Sequence, residues 1–164
     1  MIKTDRLVLE PLRVQHADEM VDVLADPTLY EFTGGEPPGL AELRERYQWQ
    51  VRGRSPDGSE EWLNWIIRLT ADGRVIGFVQ ATIVDGHADV AWVVGVAWHG
   101  HGYATEAARA MIDSLSANGV QAVTAHIHAD HAASAAVASR LGLVPTNEIE
   151  DGEIVWRESE PNSG

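Results

Sequence analysis

A chain of 164 residues has the size of one ordinary domain, and 45% hydrophobic residues can build a core without a disulfide or metal staple. It contains no cysteine, which excludes disulfide scaffolds, cysteine-based zinc sites and a cysteine nucleophile. A formal charge of −13 repels phosphate backbones and anionic lipid, so nucleic acid and membrane surfaces are disfavoured as partners and a cation such as an amine is mildly favoured.

Met1–Glu10 sets Lys3, Asp5 and Arg6 in a short alternating stretch and does not read as a leader. No apolar run approaches the ~20 residues that span a bilayer. The expectation is a cytoplasmic protein with one domain over residues 1–158 and a flexible polar tail over 159–164. Leu7–Leu12 alternates like a half-buried strand. Val14, Ala17, Met20, Val21 and Leu24 then follow helical spacing up to the stop at Asp26-Pro27. Phe32–Gly39 is a loop rich in Gly and Pro, Leu40–Val51 a second helix, and Arg52–Glu60 a polar loop. Trp62–Thr70, Val75–Val84 and Ala88–Val94 are β-rich and separated by turn signals, the second of which is Asp85-Gly86. They predict an antiparallel meander. The pattern then becomes helical over Thr105–Asn118, with Ala108, Met111, Ile112 and Leu115 on one side and Asn118-Gly119 as the stop. A strand at Val120–Ile127, an Ala-rich helix at His131–Leu141 and a short strand at Glu153–Trp156 complete the chain.

The predicted order is β-α-α-β-β-β-α-β-α-β, an α/β fold on a mixed sheet. The crossover through the Thr105–Asn118 helix should make the strands on either side of it parallel. The meander excludes a simple doubly wound fold.

The stretch Trp98-His99-Gly100-His101-Gly102-Tyr103-Ala104-Thr105 lies between a strand and a helix. The first turn of a helix offers free N–H groups and a partial positive charge, so an anion is stabilised there. Gly100 and Gly102 let the backbone approach a phosphate, and Thr105 can add a hydroxyl. The stretch lacks the third glycine of a dinucleotide fingerprint and the lysine of a P-loop. On these residues alone it is either a phosphate site or a plain β–α turn.

In this stretch the chain resembles the GNAT superfamily of N-acetyltransferases, within it the branch that acetylates ribosomal-protein N-termini. The superfamily reads Gln/Arg-x-x-Gly-x-Gly/Ala where this chain has His99-Gly100-His101-Gly102-Tyr103-Ala104, and the branch continues Thr-Glu-Ala, as here. The opening Thr4-Asp5-Arg6-Leu7-Val8-Leu9 is also similar. So is the run from His131-Ala132-Ala133-Ser134 to Arg140-Leu141-Gly142-Leu143, where the branch has Asn-x-x-Ser and Lys-Leu-Gly-Phe. Three positions depart from the pattern: His99 for Gln or Arg, His131 for Asn, and Ala138 where many relatives carry a Tyr acid.

The resemblance implies a GNAT-like fold and acetyl-CoA as co-substrate with no metal. It implies direct acetyl transfer to a primary amine, either a protein N-terminus or a small molecule, and a possible homodimer. A non-catalytic acyl-CoA-binding sensor or scaffold is the alternative, and a mononucleotide-phosphate binder of another α/β fold is a third reading. The expected cofactor residues are Val94, Gly95, Val96, His99, Gly100, His101, Gly102, Tyr103, Ala104 and Thr105, together with His131 and Ser134. The strand ending at Val93–Val96 should splay from its parallel neighbour and hold the pantetheine through its backbone. Ser134 is the expected acid for the departing thiolate. Asp89, Glu148 and Glu31 are candidate general bases, none preferred, and a water chain is a further option. His126, His128, Asp130 and His131 form a His-x-His-x-Asp-His run that can be read as a metal arrangement or as groups flanking the cofactor. Trp62, Trp65 and Trp92 read as core, or one of them joins Tyr30 and Phe32 around an acceptor.

Overall fold

The computed structural model describes residues 1–159. Most of the predicted tail, from residue 160 on, lies outside them. The chain opens on β1 (Ile2–Lys3) and β2 (Leu7–Pro11), then α1 (Ala17–Val23) and α2 (Leu40–Gln50). The meander β3 (Glu61–Leu69), β4 (Val75–Val84) and β5 (His87–Val94) leads through α3 (Tyr103–Ala117) to β6 (Ala122–His128). Helix α4 (Ala132–Arg140) and the hairpin β7 (Leu143–Glu150), β8 (Glu153–Glu158) follow. One sheet of eight strands results, in the order β1-β2-β3-β4-β5-β6-β8-β7. Its single parallel pair is β5 with β6, as the crossover requires.

Helices cover both faces of the sheet, and the sequence periodicity decides which residues face inward. In α3, Ala107, Met111 and Leu115 fall on one stripe and pack in one core with Leu9, Ile67, Val79 and Val90 of the sheet. On the opposite face Ala17 and Met20 of α1 and Leu43 and Tyr47 of α2 enclose Ile66 and Val75. Strand β5 shows the period of two plainly: Ala88, Val90 and Val94 are buried, while Asp89 between them is exposed.

Two strands go beyond the predicted order. The first, β1, is a two-residue pairing of Ile2 with Leu9 and Lys3 with Val8. The second, β7, has no counterpart in the predicted order. It is an edge strand, mostly exposed, with Pro145 in it and an irregularity between Pro145 and Ile149, so it carries no alternating pattern. Its turn is nonetheless of the same kind as the one recognised before β5. Asp85-Gly86 and Asp151-Gly152 are both two-residue loops with consecutive positive φ angles, 50° and 77° in the first and 51° and 80° in the second. That geometry matches the twist of a tight hairpin.

Candidate active site

The parallel ladder between β5 and β6 is only three residues long: His87 with Ala122, Ala88 with Val123, and Asp89 with Thr124. Beyond Asp89 the partners part. Strand β5 stays paired with β4 as far as Val94, and β6 stays paired with β8 as far as His128. A wedge opens between Val90–Val94 and Ala125–His128, and it leaves backbone groups of both strands without a ladder partner across it. The wedge is the centre of a groove of about 1980 Å³ that runs from the start of α3 past the start of α4 to the segment joining α1 and α2.

At one end of this groove Gly102 is the N-cap of α3 with φ of 79°, a left-handed conformation that side chains disfavour. It aims the first turn, Tyr103-Ala104-Thr105, into the groove. The Glu106 N–H makes the first helical bond, to the Gly102 carbonyl at 3.0 Å. The N–H groups ahead of it lack helical acceptors and are available to an anion. The Thr105 hydroxyl in this turn is buried and has no partner among the described residues.

A network that sequence reading did not foresee holds the loop in place. Glu106 accepts from the Thr4 hydroxyl at 2.6 Å, from the Arg6 N–H at 3.1 Å and from the Arg6 guanidinium at 2.8 Å. The same guanidinium donates to the His101 carbonyl at 2.9 Å and lies 4.5 Å above the Tyr103 ring. Burial pushes the Glu106 carboxyl up, but the bonds from Thr4 and Arg6 outweigh it and leave its pKa below the ordinary carboxylate range. The Thr4–Leu9 opening and the Thr-Glu-Ala run, about one hundred residues apart in sequence, are therefore two halves of one clamp.

The other predicted residues divide into those that face the groove and those that do not. Val94, His99, Gly100, Gly102, Tyr103, Ala104, Thr105, His131, Ser134 and Glu31 line it. Gly95, Val96 and His101 lie beside it, and the Gly95 N–H is already taken by the Ile76 carbonyl at 2.8 Å. His99 donates from Nε2 to the Val94 carbonyl at 2.6 Å, so this unusual histidine braces the end of the splayed strand. A carbonyl can only accept, so Nε2 carries the proton.

Across the wedge His131 Nε2 stands 3.4 Å from Ser134 Oγ. Burial, then the neighbouring His128, holds the His131 pKa below its usual value, while Glu31 pulls the other way. Phe32, from the segment between α1 and α2, stacks on the His131 ring with centroids 4.7 Å apart and touches His128 at 5.3 Å. Tyr30 and Trp92 also line the groove, and the Trp92 indole N–H is buried without an acceptor among the described residues.

Asp89 and Glu148 do not line it. Glu148 is paired with Arg157. Asp89 accepts from His126 Nδ1 at 2.9 Å, and His126 Nε2 meets Glu150 at 2.7 Å. His126 does line the groove. Among the described residues no group of three or more His, Asp or Glu could hold a metal ion. Of the run, His126 sits in this carboxylate clamp and His128 and His131 lie against Phe32.

Burial lowers the His126 pKa, but contact with Glu150 and the charge of Asp89 raise it more, and the net shift is upward. A raised histidine stabilises the fold fully below its unfolded value of about 6.5 and loses that contribution as pH climbs through the folded value. Glu150 stays ionised over that range and adds no slope. The stability difference between wild type and His126→Gln should therefore be larger at about pH 6 than at about pH 9. Urea titrations at the two pH values measure it, and an equal difference at both would refute the clamp.

Comparison with known proteins agrees with this fold. The family model described as acetyltransferase (GNAT) domain matches residues 6–144. A solved protein of Bordetella pertussis assigned to the GNAT acetyltransferases superposes with a TM-score of 0.77 at 22% identity, over 96% of this chain and 98% of that one. The microcin C7 self-immunity acetyltransferase MccE, solved with acetyl-CoA and AMP, gives 0.76 at 16% identity over 94% and 93%. RimL, a ribosomal L7/L12 α-N-protein acetyltransferase solved with coenzyme A, gives 0.75 at 14% identity over 94% and 93%. No curated protein matches the chain by sequence.

Proposed function

The chain belongs to the GNAT acetyltransferase family, and from that premise we propose that it moves the acetyl group of acetyl-CoA directly to a primary amine. The observation that carries this reading is the wedge between β5 and β6 joined to the helix start at Gly102–Thr105. A pantetheine arm can pair with the exposed strand edge, and a pyrophosphate can settle on the free N–H groups of α3. The orphan Thr105 hydroxyl fits an anionic oxygen, and Arg109 and Arg140 line the same end of the groove. Relatives of the same fold solved with acetyl-CoA or CoA point the same way.

Acetyl-CoA supplies an acyl group already activated as a thioester. The chain has three tasks: orientation, acceptance of a proton from the amine, and delivery of a proton to the leaving sulfur. The backbone of Val93 and Val94, braced by His99, orients the thioester. Ser134 delivers the proton, positioned by His131 under the Phe32 stack. The amine must lose a proton before or during attack, and Glu31, which lines the groove and lies near enough to His131 to influence its protonation, is the preferred acceptor. Asp89 can act only through His126, and Glu148 is not carried into the mechanism.

Release of free thiol from acetyl-CoA across a panel of amines tests the proposal. Turnover with at least one primary amine is expected, and Ser134→Ala should lower its kcat about 100-fold with CoA binding retained. Tight CoA binding with no thiol release from any amine would instead favour a non-catalytic acyl-CoA-binding protein.

A further inference from the structure

A second cavity, of about 170 Å³, lies between the α1/α2 layer and strands β3 and β4. Leu24, Arg46, Phe78 and Gln80 line both this cavity and the groove, so the two spaces share a wall. Phe78 and Gln80 lie directly opposite Val93 and Ala91 of β5. The shared wall therefore adjoins the splayed strand where, on the function proposed above, the thioester is held.

The cavity's chemistry is specific. Leu12, Leu43 and Ile66 supply apolar walls, while Asn64 and Gln80, cross-strand neighbours on one face, set two amides side by side. Tyr47 is only 4% exposed, and its buried hydroxyl has no partner among the described residues. A buried hydroxyl left unpaired opposes folding unless something else binds it, and a ligand can. Burial also pushes the phenol up to about 12, so it offers a neutral O–H. Arg46 is the one charged residue in the cavity lining. Its only ion pair among the described residues is a loose one, 3.7 Å to Glu42 on the exposed face of α2.

A lining with one cation and no carboxylate repels an ammonium group and attracts an anion. This runs against the chain's net charge of −13, which by itself favours cationic partners. At contact range the local guanidinium outweighs that diffuse field, because distant surface charges are screened within about 8–10 Å. Resting on the function proposed above, we infer that this cavity receives the acceptor and that the acceptor is a small amine bearing a carboxylate. Arg46 takes the carboxylate at the shared wall, Tyr47 and Asn64 bind the polar remainder, and the amine is left pointing toward β5. The carboxylate belongs either to a free amino acid or to the acidic first residue of a peptide.

Thiol release with matched pairs tests this and separates the two sources. One pair is a free amino acid and its carboxamide, and the other is a C-terminally blocked peptide beginning with Asp and its Asn counterpart. In at least one pair the acid should exceed its neutral partner in kcat/KM by roughly 10- to 100-fold, the value of a charge-assisted bond. Arg46→Gln should erase that preference and leave the KM for acetyl-CoA unchanged. Tyr47→Phe should keep or raise the ligand-free melting temperature while weakening the acceptor several-fold. The N-acetylated form of the preferred acid should bind the wild-type CoA complex in calorimetry and fail to bind Arg46→Gln. Acid and neutral partners used equally in both pairs, a preference for polyamines, or no calorimetric binding would overturn the inference while leaving the acetyltransferase reading intact. Failure to bind CoA at all would instead strike that reading.

Discussion

Replacing Gly102 by valine should weaken CoA binding about 1000-fold while the protein remains folded. The φ of 79° at this position is the first contribution. A β-branched residue held there costs on the order of 1–3 kcal/mol, and the chain relieves it by rotating the first turn of α3. The second is the surroundings. A Cβ at Gly102 would lie 3.5 Å from the Arg6 guanidinium, an ordinary contact, but the γ-methyl groups of valine must press on that guanidinium. Arg6 holds the His101 carbonyl and Glu106, so the pressure falls on the clamp that fixes the loop. The third is the loss of two or more charge-assisted bonds from the helix start to the pyrophosphate, about 1.5–3 kcal/mol each. The lost bonds alone come to about 3–6 kcal/mol, and the strain is no further addition because the rotation that relieves it is what removes them; about 4 kcal/mol is three powers of ten. Calorimetric titration with CoA measures it. Gly102→Ala should fall between wild type and valine, because it carries the backbone strain with less bulk. A folded valine variant with unchanged affinity would show that the pyrophosphate does not sit at this helix start.

How much of this arrangement could be read from the chain depends on whether a signal is local. The His99–Thr105 stretch was readable because a strand, two glycines and a helix start adjoin in sequence, and physics attaches an anion to that combination. The single parallel pair followed from the crossover. The Arg6–Glu106 clamp was visible only as two separate motifs, since no periodicity joins residues one hundred positions apart. His99 stood out as an oddity, but its bond to the Val94 carbonyl depends on the turn at Val96–Trp98 folding the ring back onto the strand end. Strand β7 was missed because an exposed edge strand has no face to bury and so no alternation, although Asp151-Gly152 matched the recognised turn at Asp85-Gly86. The side cavity left no trace at all. Tyr47, Asn64 and Gln80 come from one helix and two strands, and each looks ordinary in its own element.

Glycine to alanine at position 77 should destabilise the whole domain by about 3 kcal/mol, close to the upper end of overpacking penalties. No left-handed backbone is involved here; the reason is contact. A Cβ on Gly77 would lie 2.1 Å from the Val93 carbonyl oxygen, 3.0 Å from the Val93 carbonyl carbon and 2.9 Å from the Val94 Cα. These are backbone atoms of β5, and they cannot turn aside as a side chain could. Gly77 pairs with Val94 at the end of the ladder between β4 and β5. The added methyl must therefore push apart the two strands at the Val94 end of the wedge, beyond the last pairing of β5 with β6 at Asp89. A loss of about 3 kcal/mol corresponds to a fall in melting temperature of roughly 6–12 °C for a chain of this size. The same displacement moves the Val93 and Val94 backbone that is proposed to hold the thioester. Turnover should therefore fall even at temperatures where the variant is fully folded, since a misplacement of about 1 Å can cost 100-fold in rate. Thermal denaturation and thiol release on one preparation separate the two effects. An unchanged melting temperature would mean that β4 and β5 can part freely at Gly77, and with it would go the claim that this close strand contact fixes the wedge.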